Sequence, residues 1–194
     1  ETQPPCVEAL ELSCRPFVEE DSDIALTKLY ASIFQNNCHL RRVQMTDGVR
    51  IPNFAFRIEC LVATISESAS IVRLEIVGWT LGPAMTYWNF FSSIGPSRTL
   101  REVCVSMCDF QVTSSLFHAL MGNESVRYLQ AHTQSLSAEL KQIFCLLVKS
   151  KKYETLVIEG GFVNGDLEDL SRSFASNESL SALVIDPSFS TAVS

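Results

Sequence analysis

The stretch Thr99-Leu100-Arg101-Glu102-Val103-Cys104-Val105-Ser106-Met107-Cys108-Asp109-Phe110, continued by Gln111 to Ser125, decides the fold. Leu100, Val103 and Val105 stand at spacings of three and two, as on a short strand with one apolar face. Cys108 and Phe110 follow as inward positions of a tight turn. Leu116 and Leu120, four apart, then belong to one face of a helix. The unit is strand, turn and helix.

Six further copies of the three-residue signature lie on either side. They are Val7, Leu10, Leu12; Leu40, Val43, Met45; Ile71, Leu74, Ile76; Val126, Leu129, Ala131; Tyr153, Leu156, Ile158; and Leu180, Leu183, Ile185. Consecutive first members are 26 to 33 residues apart. Five positions after the third member an apolar residue recurs, at Phe17, Leu81, Phe110, Leu136 and Val163. One such match is common by chance; seven at near-constant spacing mark an internal repeat. The pattern resembles the leucine-rich repeat, L-x-x-L-x-L-x-x-[N/C]-x-L, and its strand-then-helix form is like the ribonuclease-inhibitor type. The resemblance implies an α/β solenoid, with a parallel sheet on the concave face of a horseshoe arc and helices on the convex face. Residues 1–194 read as a single domain of about seven repeats, cut from a longer chain. One departure stands out. Of the positions that carry N/C in the family (Arg15, Gly48, Trp79, Cys108, Gln134, Gly161 and Ser188) only Cys108 matches, so irregular turns are expected.

Along the chain, Asp21-Ser22-Asp23 offers an N-cap for a first helix, and Pro52 a start for the second. An aromatic-rich helix is expected from Met85 to Phe91, stopped by Pro96. Gly122 suits a helix C-cap, and Ser137 opens a helix with Leu140, Phe144 and Leu147 on one face. Asn164-Gly165-Asp166 reads as a turn before a helix carrying Leu167, Leu170 and Phe174.

Formal charge is −7, which argues against a nucleic-acid partner. No apolar run approaches the roughly 20 residues of a membrane span. Seven cysteines, an odd number with no C-x-x-C pair, suit a reducing compartment, and a cytoplasmic location is expected. Asn123-Glu124-Ser125 and Asn177-Glu178-Ser179 match the glycosylation acceptor pattern, but both fall at the helix-to-strand joint, where polar turn residues belong anyway.

Candidate chemistry is sparse. Cys104, Cys108, His118 and His132 look superficially like a metal set, but the repeat register sends them to different faces, so no metal and no cofactor is expected. There is no nucleophile elbow, P-loop or zincin motif, and no enzyme activity is expected. What the register does assemble is a column of residues, Glu8, Arg41, Val72, Arg101, Arg127, Glu154 and Ser181, each directly after a first key residue. Arg41, Arg101 and Arg127 fall together there, with Arg73 one position on and Tyr128 and His132 on the fifth strand. Glu75 and Glu102 are placed to neutralise part of the charge. A scaffold that binds an acidic protein partner on its concave face is the expected function. A GTPase regulator and a structural spacer are the alternatives, since similar repeats serve in ribonuclease inhibitor, tropomodulin and actin-capping-protein linkers, nucleotide-binding immune sensors, F-box substrate receptors and a GTPase-activating protein of Ran. Ends without polar caps are expected to promote self-association.

Overall fold

A computed structural model describes residues 7–13, 20–46, 54–80, 91–133, 137–150, 152–160 and 164–186. Seven strands form one sheet: β1 (Ala9–Ser13), β2 (Arg42–Thr46), β3 (Arg73–Val77), β4 (Glu102–Ser106), β5 (Tyr128–Thr133), β6 (Thr155–Gly160) and β7 (Ala182–Asp186). Their spatial order is their sequence order, and every neighbouring pair is parallel. Between strands run α1 (Glu20–Asn36), α2 (Phe54–Glu67), a 3-10 turn (Ser92–Ile94), α3 (Phe110–Met121), α4 (Ala138–Lys149) and α5 (Asn164–Ala175). Strands can stack about 4.8 Å apart, whereas helices need about 10 Å. That mismatch bends the stack into an open arc with the sheet inside.

The signature positions make the core. Leu10, Val43, Leu74, Val103, Leu129, Leu156 and Leu183 pair across the sheet in one continuous row. Leu12, Met45, Ile76, Val105, Ala131, Ile158 and Ile185 make a second row. The first members Leu40, Ile71, Leu100, Val126 and Tyr153 are buried at the strand entries. Each strand therefore begins two residues later than its first key residue. At the two edges of the described sheet Val7 is 49% exposed, and Leu183 and Val184 are 37% and 48% exposed.

Some local expectations change. Phe110 does not point inward; it opens α3 and is partly exposed. Asp109 takes the N-cap, its carboxylate accepting from Val112 N at 2.9 Å, which turns the next side chain outward. Ser137 caps α4 as read, accepting from Leu140 N at 3.2 Å. Gly122 ends α3 in a right-handed conformation, φ −84°, so no left-handed glycine is needed there. Asn164-Gly165-Asp166 lie inside α5 rather than in a turn before it. A left-handed residue is required elsewhere, just past β3 and β4. Gly78 (φ 71°) fills it in one repeat and Met107 (φ 55°) in the next. Phe17, Leu81, Leu136 and Val163, Pro52, residues 85–90 of the aromatic helix, and Arg15, Gly48, Gln134, Gly161 and Ser188 lie outside the described residues.

The irregular N/C positions have a counterpart at the opposite edge of the sheet. Three residues before the first key residue stand Asn37, Ser68, Ser97, Asn123, Ser150 and Asn177. Asn37 Oδ1 accepts from His39 N and Leu40 N, and Asn177 Oδ1 from Ser179 N and Leu180 N. Ser68 Oγ accepts in the same way from Ser70 N and Ile71 N. Asn123, fully buried, is the most heavily used. Its Oδ1 accepts from Ser125 N and Val126 N, both at 2.8 Å, and its Nδ2 donates to Ile94 O at 2.7 Å and Ser97 O at 3.0 Å. Neighbouring hydroxyls repeat the cross-link: Ser70 donates to Asn37 O, Thr99 to Ser68 O, and Ser125 to Ser97 O. A helix end leaves carbonyls without helical partners, and these amides and hydroxyls satisfy them from the next repeat.

Asn123→Ala leaves buried donors and acceptors unpaired on two repeats at once. We expect a loss of at least about 3 kcal/mol of unfolding free energy, measured by urea denaturation. Asn123→Asp should cost a similar amount, because a carboxylate cannot donate to the carbonyls of Ile94 and Ser97.

Candidate protein-recognition surface

Alternation along each strand sends two or three side chains per repeat to the concave face. In register they are Arg42, Arg73, Glu102, Tyr128 and Thr155 in one column, and Gln44, Glu75, Cys104, Gln130 and Val157 in the next. Thr46, Val77, Ser106, His132 and Glu159 form the third. Two polar groups run over much of this face. Glu75, only 6% exposed, is gripped by Arg42 at 2.6 Å and Arg73 at 2.6 Å, and Arg73 reaches Glu102 at 2.9 Å. A buried carboxylate flanked by two guanidinium groups is stable only because both charges stay. Further along, Gln130 joins Tyr128 Oη (3.1 Å), the Cys104 thiol (3.7 Å) and Glu159 (3.5 Å), and Glu159 meets His132 Nδ1 at 3.2 Å.

Cys104 does face the concave side, but it is buried at 7% exposure beneath this network. Burial pushes its thiol up to about 11, and that of Cys108 to about 12, so both stay protonated at neutral pH and are poor nucleophiles. Cys108 sits in the core and donates to Ile76 O at 3.6 Å. Among the described residues no group of three or more His, Cys, Asp or Glu is arranged to hold a metal ion.

The arginine column is in the register read from the sequence. Val72 N bonds to Arg41 O, Arg101 N to Val72 O, and Arg127 N to Arg101 O. Its place differs from the expectation, however. These residues precede the strands, so they line the strand-entry edge rather than the floor of the concave face. Each guanidinium also braces a joint. Arg41 donates to Ser70 O at 3.3 Å, Arg101 to Ser125 O at 3.0 Å, and Arg127 to Glu124 O at 2.7 Å. Arg41 and Arg101 remain exposed, and the Arg127 side chain is 40% exposed beside Glu154. Arg73, Tyr128 and His132 lie on the floor itself. Arg42 was missed; it occupies the same column as Arg73, and its spacing from the key residues was the available signal.

Lys152 belongs to the same edge. Its ammonium donates to Leu120 O and Asn123 O, and to Met121 O at 3.3 Å, closing the end of α3, and it lies 5.3 Å from the centre of the Tyr153 ring. It thus serves the end of α3.

No protein-family model and no curated protein matches the sequence. Solved structures do match. The tropomodulin C-terminal domain of Caenorhabditis elegans superposes with TM-score 0.53 at 12% identity, over 78% of this chain and 92% of that one. Leiomodin-1 Actin-Binding Site 2 superposes with TM-score 0.51 at 10% identity, over 84% and 91%. At such identities the likeness is one of fold, a parallel leucine-rich-repeat-like sheet with helices. It corrects the assignment to the ribonuclease-inhibitor type. The similar structures are tropomodulin and leiomodin domains, and the N/C positions that would mark that type are largely vacant here. No helix among the described residues is long and apolar enough to cross a membrane.

Burial and the nearby Arg127 charge lower the Lys152 ammonium to about 8 from the ordinary 10.5. Between those values the unfolded chain binds more protons than the folded one, so this residue's contribution to stability rises with pH from about 8 to 10.5. Cys104 and Cys108, raised on burial, act in the opposite direction. The effect should therefore appear in the difference between the wild-type chain and Lys152→Met, which should shift in favour of wild type across that window in urea titrations.

Proposed function

We propose that this chain is a non-catalytic protein-recognition domain working in the cytoplasm, and that an acidic segment of a partner lies along the strand-entry edge and the adjoining sheet face. The observation that carries the reading is the alignment of Arg41, Arg101 and Arg127 on one accessible edge. Arg73, Tyr128 and His132 flank them on the face. Arginine forks pair bidentately with carboxylates, and Tyr is a frequent interface anchor. The arginines are already held at one end by joint carbonyls, which lowers the entropy lost when a partner docks. The leiomodin domain is named for actin, so monomeric actin is the first partner to test.

The test is titration of the purified chain with monomeric actin, compared with the double variant Arg101→Glu, Arg127→Glu. Saturable binding weakened at least about tenfold in the variant, roughly 1.4 kcal/mol, is the expected result. The variant should still fold, because both side chains lie outside the apolar core. Binding unchanged in a folded variant would remove the arginine edge as the site. An absence of binding would remove actin.

The exposed apolar residues at the two edges of the described sheet favour self-association as a second property. Val7 and Leu10 at one edge and Leu183 at the other are signature positions like those that stack inside the arc, and Val184 beside Leu183 is exposed as well. Light scattering should show mass rising with concentration, and Leu183→Lys with Val184→Lys should hold the chain monomeric.

A further inference from the structure

On the concave face, Glu75 is a carboxylate where the fold does not need one. Its place in the sheet is filled by Cys104 one strand on and by Val157 on β6, both buried. An uncharged side chain thus occupies this place equally well, without the cost of desolvating a charge. What the carboxylate adds is direction. Its Oε2 accepts from Arg42 Nη2 at 2.6 Å and its Oε1 from Arg73 Nε at 2.6 Å, so one buried group fixes two guanidinium planes on neighbouring strands. Arg42 Nη2 also donates to Gln44 Oε1 at 3.3 Å, and Arg73 Nη1 to Glu102 Oε2 at 2.9 Å. A guanidinium has N–H donors on each of its nitrogens. Among the described residues, the bonds of Arg42 run through Nη2, which leaves Nε and Nη1, and those of Arg73 leave Nη2. The two side chains remain 46% and 33% exposed.

We propose that Glu75 is a positioning residue for recognition: it presents the remaining N–H groups of Arg42 and Arg73 as a fixed pair of forks for side-chain carboxylates of the acidic partner segment. The inference rests on the reading of that segment as the ligand. It extends the segment's path from Arg41, at the strand-entry edge, to its sequence neighbour Arg42 and across to Arg73. A free surface arginine loses rotamer freedom when a partner clamps it. One already held by a buried carboxylate has lost that freedom on folding. The arrangement also selects, since a guanidinium fork takes a planar carboxylate bidentately, whereas an ammonium in its place offers a point charge. Positioning and simple attraction make opposite predictions. Removing the negative charge of Glu75 raises the local positive potential, and by attraction alone an acidic ligand should bind more tightly. If the task of Glu75 is to hold the arginines, the same change should loosen the ligand.

The probe is a fluorescein-labelled decaglutamate peptide, about 33 Å long when extended, enough to cross the strands that carry Arg42 to Arg127. Anisotropy is read at low salt, beside urea denaturation of each variant. Glu75→Gln should weaken binding about fivefold in a chain that remains folded. Arg42→Lys keeps the charge but not the fork, and should weaken binding by a similar factor. The two changes together should cost little more than either alone, because the second removes what the first has already released. If Glu75→Gln fails to fold, Glu75→Val, the residue type that stands there on β6, replaces it. The proposal is overturned if Glu75→Gln leaves binding unchanged or tighter, if Arg42→Lys binds as wild type, or if the two losses are fully additive. In each of those cases the acidic-segment reading still stands where Arg101→Glu with Arg127→Glu weakens the peptide. Weakening by Glu75→Gln with no effect of that charge-reversed pair upholds the proposal and removes the arginine edge. No binding up to about 1 mM peptide overturns both.

Discussion

A single repeat of this chain has one apolar face on its strand and one on its helix and nothing of its own to bury them against. Stacking in one register is the only way both faces leave water. Everything else follows from that constraint. The two apolar rows cross all seven strands without a slip, because a shift of one residue would turn each strand's apolar set toward the concave face. Repeats of 26 to 33 residues are tolerated because the variation falls in helices and turns, outside the rows.

That register was legible in the sequence because it is written in large apolar residues at fixed spacing. The polar joint was only half legible. The recurring Asn-Glu-Ser could be seen, but the equivalence of Asn37, Ser68, Ser97, Asn123 and Asn177 could not, since two residue types share one task. Asn and Ser both offer a short acceptor to the backbone two or three residues on, so either closes the turn. Among the described residues Asn123 and Asn177 also donate through an amide to the preceding repeat. The repeat subtype was misread for a related reason. The signature describes one edge of the sheet, and the Asn and Ser cross-links among the described residues lie at the other.

The recognition surface was legible as a list of residues in register and not as a surface. Counting positions placed Arg41, Arg101 and Arg127 in one column. It could not say that their guanidinium groups would turn along the edge to the carbonyls of Ser70, Ser125 and Glu124. Nor could it show that Glu75 would be buried between Arg42 and Arg73, or Cys104 covered by the network around Gln130. Long side chains choose among several acceptors, and the choice depends on which carbonyls the neighbouring repeat leaves open.

The buried joint amide has a consequence for where such a chain can be made. Asn123 begins an Asn-Glu-Ser acceptor, yet in the folded molecule its nitrogen is inside, bonded to the carbonyls of Ile94 and Ser97. A sugar on that nitrogen would occupy the space of the preceding repeat. In a compartment that attaches glycans as chains emerge, the modification would come before the third and fourth repeats had closed on each other. The glycan would then hold the solenoid open at its middle, leaving two short stacks in place of one.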